Sequence, residues 1–181
     1  MKLGYTLLAS AIALTVILIT VIRFFPNRNL ILLSFCGYLL ALFYVVGAAG
    51  RTPGTQGVNF HLPLPFLEAL LRGSYDRFTN RSLLNMIAFI PFGFLLPLVI
   101  SIFKPGKQIR WLHYVLIGFC LSLLIESLQY LFQVGEFELD DLVKNTMGTG
   151  IGAFICLKMF PKAEIRDAGR QKNLPPESGA D

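Results

Sequence analysis

Charged side chains are scarce in this sequence, and their scarcity argues against a soluble globular domain. Asp, Glu, Lys and Arg make up 15% of the 181 residues, whereas hydrophobic residues make up 54%. Several uncharged apolar runs reach the roughly 20 residues that an α-helix needs to cross a bilayer. Because backbone groups facing lipid must be hydrogen-bonded within their own segment, these runs predict an all-α integral membrane protein.

Metal-binding and nucleophilic motifs are also missing. The three cysteines and two histidines form no CxxC pair and no HExxH signature. There is no Gly-x-Ser-x-Gly elbow, phosphate-binding glycine loop or dinucleotide fingerprint. We therefore expect no metal and no cofactor, and the hydrolase and nucleotide-binding classes lose support. Cys36, Cys120 and Cys156 lie in apolar runs and are interpreted as buried small residues.

The apolar runs predict a bundle of about five transmembrane helices. They cover residues 5–22, 30–49, 83–103, 111–132 and 142–160. The first two form a hairpin over residues 1–50, and the last three form a core over 83–160. In the third helix, Pro91 and Pro97 predict a kink.

The remaining segments are polar or interrupted by proline. The connection over 51–82 is rich in Gly, Pro, Thr, Asn and Arg, and its apolar piece near 65–72 predicts a short helix at the membrane interface. The tail over 161–181 is polar, so we expect it to be disordered.

The distribution of Lys and Arg predicts the orientation. With five helices, the side that holds the amino terminus carries six of these residues and the opposite side carries ten. Because the more basic side stays in the cytoplasm, the amino terminus is predicted outside the membrane and the tail in the cytoplasm. The connection over 51–82 and the acidic loop over 133–144 then face the exterior. This rule accounts for the net charge of +5, which therefore does not indicate nucleic-acid binding.

A polar stripe runs along the fourth predicted helix. Ser122, Glu126, Gln129 and Gln133 recur at helical spacing on one face. Because an ionised carboxylate near the middle of a span costs about 2.5 to 3.5 kcal/mol on insertion scales, this face is expected to meet protein or water. Two interpretations stay open: a structural hydrogen-bonded seam with Glu126 protonated, or a functional cavity.

The acidic loop leads into the fifth predicted helix through Asp140 and Asp141. These carboxylates can cap that helix and stabilise its dipole. Alternatively, Asp141 and Asn145, one turn apart, face the same cavity as Glu126 and Asn85. The two interpretations are compatible. Further along, Gly148 and Gly152 form a GxxxG pattern that predicts close packing against a neighbouring helix.

Three stretches of this sequence together resemble the VanZ-like family of bacterial membrane proteins. They are VNFHLPLPF, NRSLLNMIAFIPFGFLLP and IESLQYLFQVGEFELDDLVKNTMGTGIG, in the family's order and spacing over about residues 58–155. His61 and the repeated Leu-Pro depart from the shorter family form of the first block. The family pattern falls on nine positions here: Asn85, Pro91, Gly93, Glu126, Gln129, Asp140, Asp141, Asn145 and Gly148.

The resemblance implies a cell-envelope role, because the family is named for an accessory to teicoplanin resistance. An outward-facing site with Asn85, Glu126, Gln129, Asp140, Asp141 and Asn145 would suit an amphiphile such as a glycopeptide antibiotic, a lipid or a lipid-linked wall precursor. An intramembrane enzyme with Glu126 and Asp141 as acid and base, or a proton-coupled transporter, is the alternative. The lack of a nucleophile or metal set favours binding over catalysis.

Overall fold

The structure, a computed structural model, describes residues 13, 16–17, 19–24, 27–44, 54, 57–59, 71–72, 77–105, 107 and 109–160. Within these ranges the elements are α1 (Arg28–Leu42), β1 (Val58–Asn59), α2 (Arg77–Phe103), α3 (Trp111–Leu131), β2 (Phe137–Glu138) and α4 (Leu139–Met159). Residues 19–24 and 71–72 are also helical. The predicted all-α class therefore holds apart from two two-residue strands.

Two of the five predicted spans are confirmed as helices long and apolar enough to cross a membrane. They are Leu83–Phe103 within α2, which is mostly buried, and Trp111–Leu131, which is mostly exposed. The helix α1 is apolar but has 15 residues. The fifth predicted span corresponds to α4, which begins at residue 139 rather than 142 and opens with charged residues. The complete bundle of five spans stays a prediction.

Helix α2 runs through both of its prolines without interruption. Pro91 and Pro97 lie inside the continuous helix Arg77–Phe103. A proline removes one backbone donor, so Pro91 leaves the carbonyl of Ile87 without its helical hydrogen bond. The hydroxyl of Tyr38 on α1 donates to the carbonyl of Ala88 at 2.6 Å, one turn before Pro91. This bond ties α1 to α2.

Helices α2 and α4 run in the same direction in close contact. Asn85 hydrogen-bonds to Asp141 near their amino-terminal ends, and the rings of Phe94 and Phe160 lie 6.0 Å apart further along. A Cβ added at Gly148 would overlap the backbone of α2 at Met86, and one at Gly152 would overlap it at Ile90. The close packing predicted from the GxxxG pattern is therefore confirmed.

Helix α3 runs antiparallel to α4. Ser122 meets Asn145, and the Trp111 indole N–H donates to the Gly150 carbonyl at 2.9 Å. After α3 the chain reverses through Gln133, which has a φ of 56°.

The two short strands join the long connection to the acidic loop. β1 and β2 pair in parallel, with Val58 opposite Phe137 and Asn59 opposite Glu138. The Gly54 N–H also donates to the Gln133 carbonyl at 2.8 Å. These bonds hold the described part of the connection over the amino-terminal end of α4. Most of the predicted interfacial helix near 65–72, and the tail over 161–181, lie outside the described residues.

The opposite end of the bundle has an apolar core. Its members are Ile22, Ile31, Phe94, Leu95, Leu98, Val99, Ile102, Cys156 and Phe160, which we call the apolar cluster. Ile22 and Ile31, which come from the first two predicted spans, both belong to this cluster. The prediction for the cysteines is correct only for Cys156, because Cys36 and Cys120 are exposed. All three are free thiols.

Candidate functional site

The first turns of α4 bury an ionic triad. The Lys144 ammonium lies 2.6 Å from Asp140 Oδ2 and 3.1 Å from Asp141 Oδ1. The Lys144 side chain is only 2% exposed, against 10% for Asp140 and 6% for Asp141. The i,i+4 and i,i+3 spacings place all three side chains on one face of the helix. Buried charges persist only when they are paired, so this face is fixed by its ion pairs.

Asn85 connects the triad to α2. Its side-chain amide donates to Asp141 Oδ2 at 2.7 Å. Asp141 Oδ1 therefore pairs with Lys144, and Asp141 Oδ2 pairs with Asn85 on α2. This bond brings together two residues separated by 56 positions in the sequence.

Glu126 is fully buried on α3 and contacts the start of α4. Its Oε2 accepts a hydrogen bond from the backbone N–H of Glu138 at 3.2 Å. Glu138 is the residue from which α4 begins and belongs to β2. The buried carboxylate therefore holds both the loop and the first turn of α4. Gln129, one turn further on, is also buried, and its backbone carbonyl accepts from Val134 N at 3.0 Å.

Asn145 and Ser122 extend this polar contact deeper between α3 and α4. The Asn145 side-chain amide donates to Ser122 Oγ at 2.9 Å, and both residues are completely buried. The Thr149 hydroxyl donates to the Asn145 backbone carbonyl at 3.1 Å. Gly118 leaves room for Thr149, because a Cβ there would overlap the Thr149 side chain.

The buried and half-buried polar residues on α2, α3 and α4 described above are together called the polar cluster. Its members are Asn85, Ser122, Glu126, Gln129, Asp140, Asp141, Lys144, Asn145 and Thr149. All six predicted site residues belong to it. Of the predicted polar stripe, Gln133 does not, because α3 ends at Leu131 and Gln133 is exposed in the turn. That part of the prediction is wrong.

The interpretation of Asp140 and Asp141 as caps is also corrected. The N-cap is Glu138, and its side chain makes no capping hydrogen bond. Asp140 and Asp141 lie in the first turn of α4, where their charges still favour the helix dipole. Their side chains point to Lys144 and Asn85 instead of the free N–H groups.

The sequence interpretation missed Lys144, which it counted as a loop cation. The signal was available, because two carboxylates three and four residues before a lysine form a single helical face. Since Lys144 is buried in the polar cluster, it no longer belongs to the charge count of the loops.

Two oxygens in the polar cluster lack a hydrogen-bond donor from the described protein. Asp140 Oδ1 and Asn145 Oδ1 are buried and receive no hydrogen bond. Buried acceptors are nearly always satisfied, so each such atom requires an explanation. The cluster contains three carboxyl groups and one ammonium group. Among the described residues, no group of three or more His, Cys, Asp or Glu side chains is arranged to hold a metal ion.

The outer faces of α3 and α4 carry exposed apolar side chains. Exposed large hydrophobic residues on α3 and α4 include Leu116, Phe119, Leu124, Ile151 and Phe154. Contiguous apolar surface of this kind is typical of membrane or partner contact. Two helices of membrane-spanning length, together with buried charges between helices, fit a helical membrane protein.

The chain belongs to the VanZ/LLP1 family, whose model matches residues 11–160. A curated relative, "Protein VanZ" of Enterococcus faecium, is 34% identical over 76 residues. That match covers 42% of this chain and 41% of the relative, so the chain aligns with less than half of the relative's length. No solved structure matches. The resemblance seen in the three sequence blocks is thus confirmed at the level of the family.

Proposed function

We propose that this protein is a multi-pass membrane protein of the cell envelope that binds an amphiphile at the polar cluster. The observation that supports this most directly is the pair of buried acceptors, Asp140 Oδ1 and Asn145 Oδ1, within a cluster rich in carboxylates. A ligand head group with amide N–H, hydroxyl or ammonium donors would satisfy them. The apolar outer faces of α3 and α4 would accommodate its hydrophobic part.

Ligands that combine such donors with an apolar part include a glycopeptide antibiotic and a lipid-linked wall precursor. Family membership supports these classes, because the VanZ family is associated with teicoplanin resistance. We also propose that this chain contributes to such resistance.

The proposed orientation places the polar cluster near the outer leaflet and the tail in the cytoplasm. It depends on the five predicted spans and on the Lys and Arg bias. Removing the buried Lys144 from the six basic residues counted outside leaves five against ten. The excess of basic residues on the cytoplasmic side therefore becomes larger. With this orientation, a wall precursor or the drug would reach the polar cluster from the exterior.

Binding fits the cluster better than acid–base catalysis by Glu126 and Asp141. Glu126 Oε2 accepts from a backbone N–H, and the Asp141 oxygens face Lys144 and Asn85. These interactions commit both carboxylates to holding the helices together. The alternative is a proton-transferring enzyme or a proton-coupled transporter that uses the same two carboxylates. The experiment must distinguish this alternative from binding.

The test is the teicoplanin susceptibility of a sensitive bacterium that expresses the chain. Wild type is expected to raise the inhibitory concentration several-fold, whereas Asp140→Asn and Asp141→Asn lose most of that protection. Glu136→Gln is the matched control, because Glu136 is an exposed acid in the same loop. Membrane levels of all proteins are measured by immunoblotting.

Glu126→Gln separates binding from acid–base chemistry. The amide keeps the size and the acceptor oxygen of the carboxylate, so a binder retains partial protection at normal protein levels. Complete loss with normal levels supports a catalytic or proton-carrying carboxylate. Absence of protection by wild type would remove glycopeptide resistance from the proposal, and equal protection by all variants would exclude the polar cluster as the binding site.

A further inference from the structure

A concave surface lies at the end of the bundle opposite the polar cluster, where α2 passes into α3. It encloses about 330 Å³. Its apolar walls are Ile100, Phe103, Ile109 and Ile117, and its basic residues are Lys104, Lys107 and His113. We call this surface the basic corner. It shares no residue with the polar cluster.

The charge of the basic corner has one sign only. The sequence contains no Asp or Glu between residues 77 and 125, so no acid from either adjoining helix neutralises the corner up to that point. Lys104, Lys107 and the neighbouring Arg110 are exposed. Arg110 is also the N-cap of α3 and makes no side-chain capping bond, so the positive end of that helix dipole adds to the field. The basic corner therefore attracts an anion.

A ligand of the basic corner must also have an apolar part. Four of the seven residues that line the corner are hydrophobic, and the Phe103 side chain beside Lys104 is 64% exposed. A hydrated inorganic anion gains nothing from these walls, whereas an acyl chain attached to the anion would bury them.

The position of the basic corner matches the head-group region of a membrane. His113 and Glu126 are 13 positions apart on α3, which corresponds to about 20 Å along the helix axis. The corner and the polar cluster thus lie towards opposite ends of a helix that is long enough to cross the membrane. Basic pockets between membrane helices are suited to anionic lipid head groups.

We propose that the basic corner is a binding site for an anionic phospholipid. The phosphate would lie against Lys104 and Lys107 at the positive end of α3, and an acyl chain would lie along Phe103 and Ile117. This site is independent of the amphiphile proposed for the polar cluster.

The experiment measures phospholipid bound to the purified full-length chain by native mass spectrometry after reconstitution in phosphatidylcholine nanodiscs with phosphatidylglycerol added. Wild type is expected to retain phosphatidylglycerol in preference to phosphatidylcholine. The double variant Lys104→Gln, Lys107→Gln should weaken this retention roughly 30-fold, since each basic residue near an anionic surface contributes about fivefold. Free glycerol phosphate at the same concentration should not compete.

The matched control is the double variant Arg28→Gln, Lys158→Gln. It removes two positive charges at the same end of the bundle without touching the basic corner, so its phosphatidylglycerol retention should equal that of wild type. An equal loss of phosphatidylglycerol retention in both double variants would overturn the proposal, because it would show that general surface charge attracts the lipid. Competition by glycerol phosphate would overturn it in favour of a free-anion site. If the first double fails to fold, the lipid preference of wild type still decides, because equal retention of the two lipids excludes the site.

Discussion

The first turns of α4 bury Asp140, Asp141, Lys144 and Asn145, whereas its last turns bury Ala153 and Cys156. At the first end, contacts are directional, because each hydrogen bond or ion pair joins particular atoms on α2, α3 and α4. At the other end, the apolar cluster packs aliphatic and aromatic side chains against one another. In lipid, burying an apolar side chain gains little over leaving it against acyl chains. The polar end therefore specifies which helix faces meet, and the apolar end fills the space between them.

Lys144→Met is the strongest test of the polar end. The substitution keeps an unbranched side chain but leaves Asp140 and Asp141 buried without their ammonium partner. Removing one partner of a buried ion pair typically costs about 3 to 5 kcal/mol. We expect a loss of that size in the free energy of unfolding, measured in mixed detergent micelles by circular dichroism.

Lys158→Met is its control at the apolar end of the same helix. Lys158 is exposed, and its ammonium lies 5.6 Å from the centroid of the Phe154 ring. Its loss should change the free energy of unfolding by less than about 0.5 kcal/mol. If the two lysine variants unfold alike, the buried triad does not hold the polar end together.

Gly152→Ala tests the boundary between the two ends. The added Cβ would overlap the Ile90 carbonyl, which belongs to the backbone of α2 and cannot rotate away. We expect the helices to be forced apart, at a cost of about 3 kcal/mol in the free energy of unfolding. Gly37→Ala is the control, since nothing lies within 4 Å of a Cβ added there. Equal stability of the two alanine variants would show that α2 and α4 are not in tight contact.

The two ends also differ in how well the sequence predicts them. Periodicity and length identified the helical segments, and the GxxxG pattern predicted the contact at Gly148 and Gly152, because these signals are local. The helical spacing of Ser122, Glu126 and Gln129 likewise predicted one polar face directed at protein or water. These three side chains are buried together in the structure.

The partners of these residues were not predictable, because they depend on helix direction and register. Sequence alone assigns Lys144 to a loop, because it does not show whether a charge at a helix start faces water or a neighbouring helix. The pairing of β1 with β2 joins positions 58–59 to 137–138, too far apart for any local pattern. The exposure of Cys36 and Cys120 was missed for a related reason: an apolar run indicates a membrane or core environment but does not say which face is inside.

Cys156→Ser is the mildest test and addresses the apolar end alone. Cys156 is completely buried in the apolar cluster, so a hydroxyl there needs a hydrogen-bond partner. A helical serine can donate to the carbonyl four residues earlier, here that of Gly152, which limits the cost to about 1 kcal/mol. Cys36→Ser, at an exposed position on α1, should have a smaller effect when both are measured by thermal unfolding in the same detergent. A Cys156→Ser protein as stable as wild type would mean that the apolar end admits polar groups as readily as the polar end does, and the contrast between the two ends of α4 would then lie in their ion pairs alone.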